Sequence, residues 1–291
     1  HHDEVGESAG GLLGLYYASG LTTLLPCRIR TNMTLQQILL TNAQVLACAV
    51  CLLWGISLYR RDASIVDPFW GLGFVLVSWI SAAVSGGGSP RTLLVVALVS
   101  VWGIRLSAYL TWRNWGKPED YRYAAMREHH GWRFPLVSLL TVFLLQGTIM
   151  WAVSLPIQVG VAENTSSHLP AWIGSCVYGI GFLFESLGDY QLARFKAQPA
   201  NRGQVMNRGL WRYTRHPNYF GDFLVWWGIY LLVAAPSTWW WTLVGPLLMS
   251  ILLIRVSGVR LLENSLSKRL VSYDEYVRST SAFFPWPPKS G

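Results

Sequence analysis

The sequence has few charged residues. Only 13% of its 291 residues are Asp, Glu, Lys or Arg, whereas soluble domains usually carry about 25%. Hydrophobic residues make up 52% of the chain, and 16 of them are Trp. This composition excludes a disordered chain and argues against an ordinary soluble enzyme. The class that remains is a multi-pass membrane protein.

Cysteine is also scarce, because four Cys in a chain of this length exclude a disulfide-rich scaffold. Cys48 and Cys51 form a Cys-x-x-Cys pair, but it lies in an apolar stretch without His partners. We interpret the pair as helix packing and predict no metal site. Glycine-rich dinucleotide and kinase fingerprints are missing too, so any nucleotide would bind in a non-Rossmann way.

Long apolar stretches predict an all-α, polytopic membrane protein with about seven transmembrane helices. A single transmembrane domain is expected over residues 33–291, and residues 1–32, which precede the first Met, are set apart as an N-terminal extension. The predicted spans cover residues 37–58, 65–84, 92–112, 134–159, 169–192, 219–235 and 238–256.

Most Lys and Arg residues fall in alternate connections and after the last span, on one side of the seven-span topology. The positive-inside rule therefore predicts a C-terminus in the cytoplasm and an N-terminus outside. Because orientation accounts for most of the net charge of +8, we predict a lipid bilayer as partner and no nucleic acid. The membrane is expected to be a bacterial inner membrane or the endoplasmic reticulum.

Ionisable residues inside a membrane are costly unless they are paired or hydrated. Asp67 precedes Pro68 near the start of the second predicted span, and Asp222 lies four residues after Asn218 on one helical face. The alternative is that such groups only cap helices or reach the interface. Apart from Arg255 at the end of the last span, the charged residues within the predicted spans are Asp67, Arg105, Glu185, Asp189 and Asp222.

Two connections combine cations, amides and aromatics. One runs from Arg113 to Tyr123, and the other from Asn207 to Asp222. Arginines at spacings of three or four residues, followed by a helix that begins at Pro217, favour binding of a phosphate or a nucleotide. The alternative is a pair of solvated loops that contact anionic lipid headgroups.

The segment Arg215-His-Pro-Asn-Tyr-Phe-Gly-Asp222 resembles the membrane steroid 5-alpha-reductase and sterol reductase superfamily, and in particular its DUF1295 branch. Further matching segments are Ile65-Val-Asp-Pro-Phe-Trp-Gly71 and Gly116-Lys-Pro-Glu-Asp-Tyr-Arg-Tyr123, together with the C-terminal Tyr273-Asp-Glu-Tyr276 and Ser281-Ala-Phe-Phe-Pro-Trp286. The resemblance covers about residues 33 to 289. Isoprenylcysteine carboxyl methyltransferases carry a similar string, which in them binds S-adenosylmethionine.

The resemblance implies NADPH bound from the cytoplasmic side and reduction of a C=C bond in a lipophilic, steroid-like or enone substrate. Asp67 lies where steroid reductases have a glutamate that polarises the enone carbonyl, and Trp102 stands where they have a tyrosine. We therefore expect Asp67 and Trp102 to be catalytic, although an indole cannot donate a phenolic proton. The cofactor-binding residues expected from the motifs are Arg105, Arg113, Asn114, Lys117, Tyr121, Asp189, Arg212, Arg215, His216, Asn218, Tyr219 and Asp222.

Two other functions stay open at this point. One is a membrane methyltransferase that uses S-adenosylmethionine, and the other is a lipid-binding protein without enzymatic activity. The many loop cations favour NADPH, because S-adenosylmethionine has no phosphates.

Overall fold

The computed structural model of the protein describes residues 33–163, 171–256, 263 and 273–289. These residues form helices and their connections and contain no β-strand, which confirms the all-α prediction. The predicted N-terminal extension, residues 1–32, lies outside the described residues.

Each predicted span corresponds to a helical part of the chain. The helices are α1 Leu35–Arg60, α2 Val66–Val84, α3 Pro90–Asn114, α4 Tyr121–Val153, α5 Leu155–Glu163, α6 Ala171–Ala197, α7 Pro217–Val233, α8 Trp239–Arg255 and α9 Tyr273–Ser279. Short 3₁₀ turns cover Ala63–Ile65, Gly131–Arg133, Pro199–Asn201 and Gly209–Arg212.

Five of these helices are long and apolar enough to cross a membrane. They are α1, α2 with its preceding turn, α3, α4 and α6. Helix α7 has 17 residues, or about 25 Å of helix, against a hydrocarbon core of about 30 Å. The fold is therefore that of an integral membrane protein, while the count of seven spans and the orientation of the termini stay predictions.

The fourth predicted span, residues 134–159, was expected to be a single helix, and this expectation is wrong. The chain breaks at Ser154, where α4 ends at Val153 and α5 begins at Leu155. Pro156 follows directly, and a proline inside a helix removes an N–H donor and clashes with the preceding turn. In addition, α4 contains a π-helical stretch over Leu139–Leu144.

Two helix pairs pack so closely that only glycine fits between them. A Cβ atom at Gly181 on α6 would lie 2.6 Å from the Gly221 carbonyl oxygen on α7. On the other pair, a Cβ at Gly103 on α3 would lie 2.5 Å from the Gly71 carbonyl oxygen on α2. Small residues allow helices in a membrane to approach this closely. These two pairs carry most of the residues predicted to form the site.

The C-terminal segment, residues 273–289, packs on the connection between α6 and α7. The Tyr276 hydroxyl donates a hydrogen bond to the Trp211 carbonyl oxygen. Further hydrogen bonds run from Arg215 N–H to Ser281 O (2.9 Å), from Thr214 Oγ1 to Phe283 O (2.8 Å) and from Trp286 N–H to Tyr213 O (2.9 Å). The segment therefore fixes the backbone just before α7.

Candidate functional site

A cavity of about 400 Å³ lies at the end of the helices where α2, α4 and α7 begin. Its walls come from α2, α3, α4, α6, α7 and α8, so residues far apart in sequence meet there. The predicted site residues that line it are Asp67, Trp102, Arg113, Asp189, Asn218, Tyr219 and Asp222. We call it the central cavity.

One wall of the central cavity carries a buried ion-pair network. Arg105 on α3 contacts Glu185 Oε1 and Asp189 Oδ2 on α6, each at 2.6 Å. Asn218 on α7 donates from Nδ2 to Asp189 Oδ1 at 3.1 Å. The side chains of Glu185 and Asp189 are only 4% and 7% exposed. Arg105 therefore supplies the cation that two carboxylates on one helical face require.

The indole N–H of Trp102 donates to Glu185 Oε2 at 2.8 Å. The ring itself is fully buried and packs against Trp226 and Phe74, with centroids 5.5 Å and 5.8 Å away. Trp102 therefore holds Glu185 in place through this hydrogen bond. Trp102 also lines the central cavity, and its catalytic role stays a prediction.

Asp222 adds a third carboxyl group to this wall. Its Oδ1 atom is buried and completes no hydrogen bond of normal geometry with a described residue, although the indole N–H of Trp226, one turn further along α7, interacts with the same carboxyl group. The wall thus places three carboxyl groups beside the guanidinium of Arg105. A neutral group with N–H donors fits such a surface.

Asp67 occupies the opposite part of the central cavity. Its Oδ1 atom accepts a hydrogen bond from the Tyr123 hydroxyl at 2.8 Å, and Arg122 lies 3.2 Å from its Oδ2 atom. Gln146 lies 3.5 Å from the same hydroxyl. Sequence reasoning missed Tyr123 as the partner of Asp67, although it ends the segment from Gly116 that resembled the reductases.

The loop before α4 positions Arg122 and Tyr123. Its Asp120 N–H donates to Ser64 Oγ at 2.7 Å, and Glu119 accepts from the Ala63 N–H at 2.8 Å and pairs with Arg127 at 2.8 Å. Burial raises the pKa of Glu119, but these hydrogen bonds and the Arg127 charge outweigh it and lower the pKa below its ordinary value. The Glu119 carboxylate therefore connects the loop before α4 to the turn that precedes α2.

Some predicted cofactor-binding residues lie outside the central cavity. Asn114 ends α3, Lys117 lies on the loop that follows and Tyr121 begins α4; Lys117 and Tyr121 are exposed, and Asn114 is half-buried. Arg105 does not line the cavity; it contacts Glu185 and Asp189, which do. Arg212 lines a different cavity, which is described below.

Arg215 and His216 are buried and directed toward the C-terminal part of the chain. The Arg215 guanidinium contacts Glu263 at 2.7 Å and donates to the carbonyl oxygens of Val277 and Thr280. His216 Nε2 lies 3.2 Å from the same Glu263 carboxylate. Burial raises the pKa of Glu263, but the hydrogen bonds from His216 and Arg215 lower it overall. In this arrangement, the buried Arg215 side chain helps to position the Arg215–Asp222 segment.

Similarity to known proteins identifies the family of the chain. A family model described as a protein of unknown function, DUF1295, matches residues 53–280. The chain belongs to the DUF1295 family. The match covers every residue that lines the central cavity of this DUF1295 protein, and it confirms the branch to which the sequence motifs pointed.

An uncharacterized protein of the fission yeast Schizosaccharomyces pombe is 25% identical over 262 residues, which cover 80% of this DUF1295 chain and 75% of the yeast protein. No solved structure is significantly similar to the chain.

Proposed function

We propose that this DUF1295 protein is a membrane oxidoreductase that uses NADPH to reduce a C=C bond conjugated to a carbonyl group in a lipophilic substrate. The observation that carries the proposal is the hydrogen-bonded pair of Asp67 and Tyr123 across the central cavity from the Arg105 network. The likeness of the Arg215–Asp222 motif to membrane reductases supports the choice of cofactor.

The residues of the cavity fit a nicotinamide cofactor. Its carboxamide has N–H donors and a carbonyl acceptor, and the buried carboxyl group of Asp222 lines the cavity as an acceptor whose Oδ1 atom completes no hydrogen bond of normal geometry with a described residue. Asn218 adds an amide beside it. Arg113 lines the same cavity and could neutralise a phosphate group. When bound, NADPH supplies a hydride.

Asp67 and Tyr123 would act on the substrate. Hydride addition to a conjugated C=C bond places negative charge on the carbonyl oxygen, and a hydroxyl donor aimed at that oxygen stabilises it. Tyr123 Oη has one hydrogen, which Asp67 Oδ1 accepts in the structure, so the hydroxyl would turn from Asp67 to the substrate oxygen to donate this proton, while Arg122 would balance the charge of Asp67. A phenol is thus available at this site, although the residue at the family's tyrosine position is Trp102.

The remaining walls suit an apolar substrate. Trp70, Leu106, Met249 and Leu253 line the central cavity between its two polar parts. Pockets of this size that combine apolar walls with a few polar groups are typical of small-molecule sites. A flat, lipophilic enone matches that distribution.

Cofactor binding by the purified full-length protein in detergent tests the proposal. Titration with NADPH, followed by cofactor fluorescence, should give saturable binding that Asn218→Ala and Asp222→Ala abolish. Arg278→Gln removes an exposed charge outside the cavity and is the matched control. Undiminished NADPH affinity in both cavity variants, or saturable binding of S-adenosylmethionine in place of NADPH, would overturn the reductase assignment.

Tyr123→Phe then separates binding from chemistry. We expect this variant to bind NADPH with wild-type affinity and to lose roughly 10²- to 10⁴-fold in turnover of a 3-oxo-4-ene steroid probe. Wild-type turnover in Tyr123→Phe would remove the hydroxyl from the reaction.

A further inference from the structure

A second cavity, of about 800 Å³, lies between the α6–α7 connection and the C-terminal segment. It shares no lining residue with the central cavity. Its polar lining includes Arg208, Arg212, Asn207, Ser279 and Thr280. We call it the arginine cavity.

No residue that the structure describes pairs with the two guanidinium groups of the arginine cavity. Arg208 and Arg212 are exposed and make no hydrogen bond or ion pair with any residue that the structure describes. Glu275 is the acid among the described lining residues, and it is not ion-paired with either arginine. Two cations that face one cavity without partners repel each other, and an anion between them removes that repulsion.

The backbone that carries the two arginines is held against α6. Trp211 Nε1 donates to the Gly188 carbonyl oxygen at 3.1 Å, and Leu210 N–H donates to Gln191 Oε1 at 3.0 Å. Gly209 adopts a φ of +61°, and a Cβ there would clash with Gln191, which only glycine avoids. The cations therefore project from a preorganised turn, and a ligand would not have to order the backbone.

We propose that the arginine cavity binds a phosphate-bearing molecule between Arg208 and Arg212. Guanidinium groups bind phosphate oxygens through paired, charge-assisted hydrogen bonds. The Asn207 amide is a further donor at the same cavity. The phosphate could belong to a soluble phosphate compound or to a lipid headgroup. This site goes beyond the proposed reaction, because it uses none of the central-cavity residues.

Calorimetric titration of the full chain in an uncharged detergent tests the site with two probes, pyrophosphate and dioctanoyl phosphatidic acid. The double variant Arg208→Gln/Arg212→Gln should bind the recognised probe at least tenfold more weakly. The control Arg202→Gln/Arg278→Gln removes the same charge from exposed arginines that do not line the cavity and should change affinity less than twofold.

The outcomes are decisive for both the site and its ligand. Saturable pyrophosphate binding identifies a soluble phosphate ligand, whereas binding of phosphatidic acid alone identifies a lipid headgroup. Equal weakening in the two double variants, or binding of neither probe by the wild-type protein, would overturn the proposal. Asn218→Ala should leave probe binding intact, so failure of the proposed reductase function would be seen separately.

Discussion

The central cavity and the arginine cavity use their arginines in opposite ways. At the central cavity, Arg105 behind the wall and Arg122 in the lining contact carboxylates at 2.6 Å and 3.2 Å. In the arginine cavity, Arg208 and Arg212 have no described partner. Paired cations build a wall of fixed shape, whereas unpaired cations keep their hydrogen-bond donors for a ligand.

This contrast predicts that substituting a paired arginine lowers the stability of the fold, whereas substituting an unpaired arginine affects ligand binding. Removing a paired, buried arginine leaves carboxylates without a counter-charge, so the fold should lose free energy of unfolding. Removing an exposed, unpaired arginine should leave the fold unchanged and affect only the ligand. The predictions below test this difference, beginning with the largest effect.

Arg105→Ala should lower the free energy of unfolding by about 3–5 kcal/mol, because Glu185 and Asp189 then stay buried without their cation. Unfolding in mixed detergent micelles measures the change, and Arg278→Ala is the control on an exposed arginine. A loss below about 1 kcal/mol would show that water already compensates the two carboxylates.

Trp102→Phe should lower the free energy of unfolding by roughly 1–3 kcal/mol, since it leaves Glu185 Oε2 without its indole donor while keeping an aromatic ring in the core. The same micelle titration applies. If Glu185→Leu, which removes the acceptor, also removes the penalty of Trp102→Phe in a double-mutant cycle, the hydrogen bond is its cause; full additivity of the two changes would contradict that explanation.

Glu119→Gln should cost about 1 kcal/mol of unfolding free energy at pH 7, and the difference from wild type should vanish in acid. The lowered pKa of Glu119 means that its contribution is present above the pKa of the unfolded chain and is lost as pH falls through the folded value. Unfolding midpoints of both proteins between pH 7 and pH 3 check the sign. If the difference in stability between the two proteins became larger toward acidic pH, the result would contradict a stabilising ion pair between Glu119 and Arg127.

Arg208→Gln/Arg212→Gln should change the free energy of unfolding by less than about 0.5 kcal/mol, because neither side chain holds another described residue. Thermal unfolding without added phosphate provides the measurement. A loss above 1 kcal/mol would mean that these arginines stabilise the loop and are not kept for a ligand.

The helices were predictable from the sequence because apolar stretches near 20 residues leave few alternatives in a membrane. The spacing of residues along one helix also predicted correctly that Glu185 and Asp189 share a face, because both contact Arg105. The break at Ser154 was missed, although Pro156 is visible in the sequence, because hydropathy continues without interruption through it.

Contacts between distant segments could not be predicted in the same way. Tyr123 and Asp67 are 56 positions apart, and Trp102 and Glu185 are 83 apart, so no periodicity links them. The motif arginines could not be told apart either. Arg212 faces a cavity and Arg215 is buried against Glu263, a difference that depends on how the C-terminal segment folds back.

That folding back has a consequence for biosynthesis. Arg215 donates to the Thr280 carbonyl oxygen, 65 positions later in the chain. A ribosome therefore completes α6 and α7 well before it makes the residues that order the turn between them. Nascent chains halted by a stop codon before Tyr276 would carry both helices but lack the tail that shapes the entrance to α7.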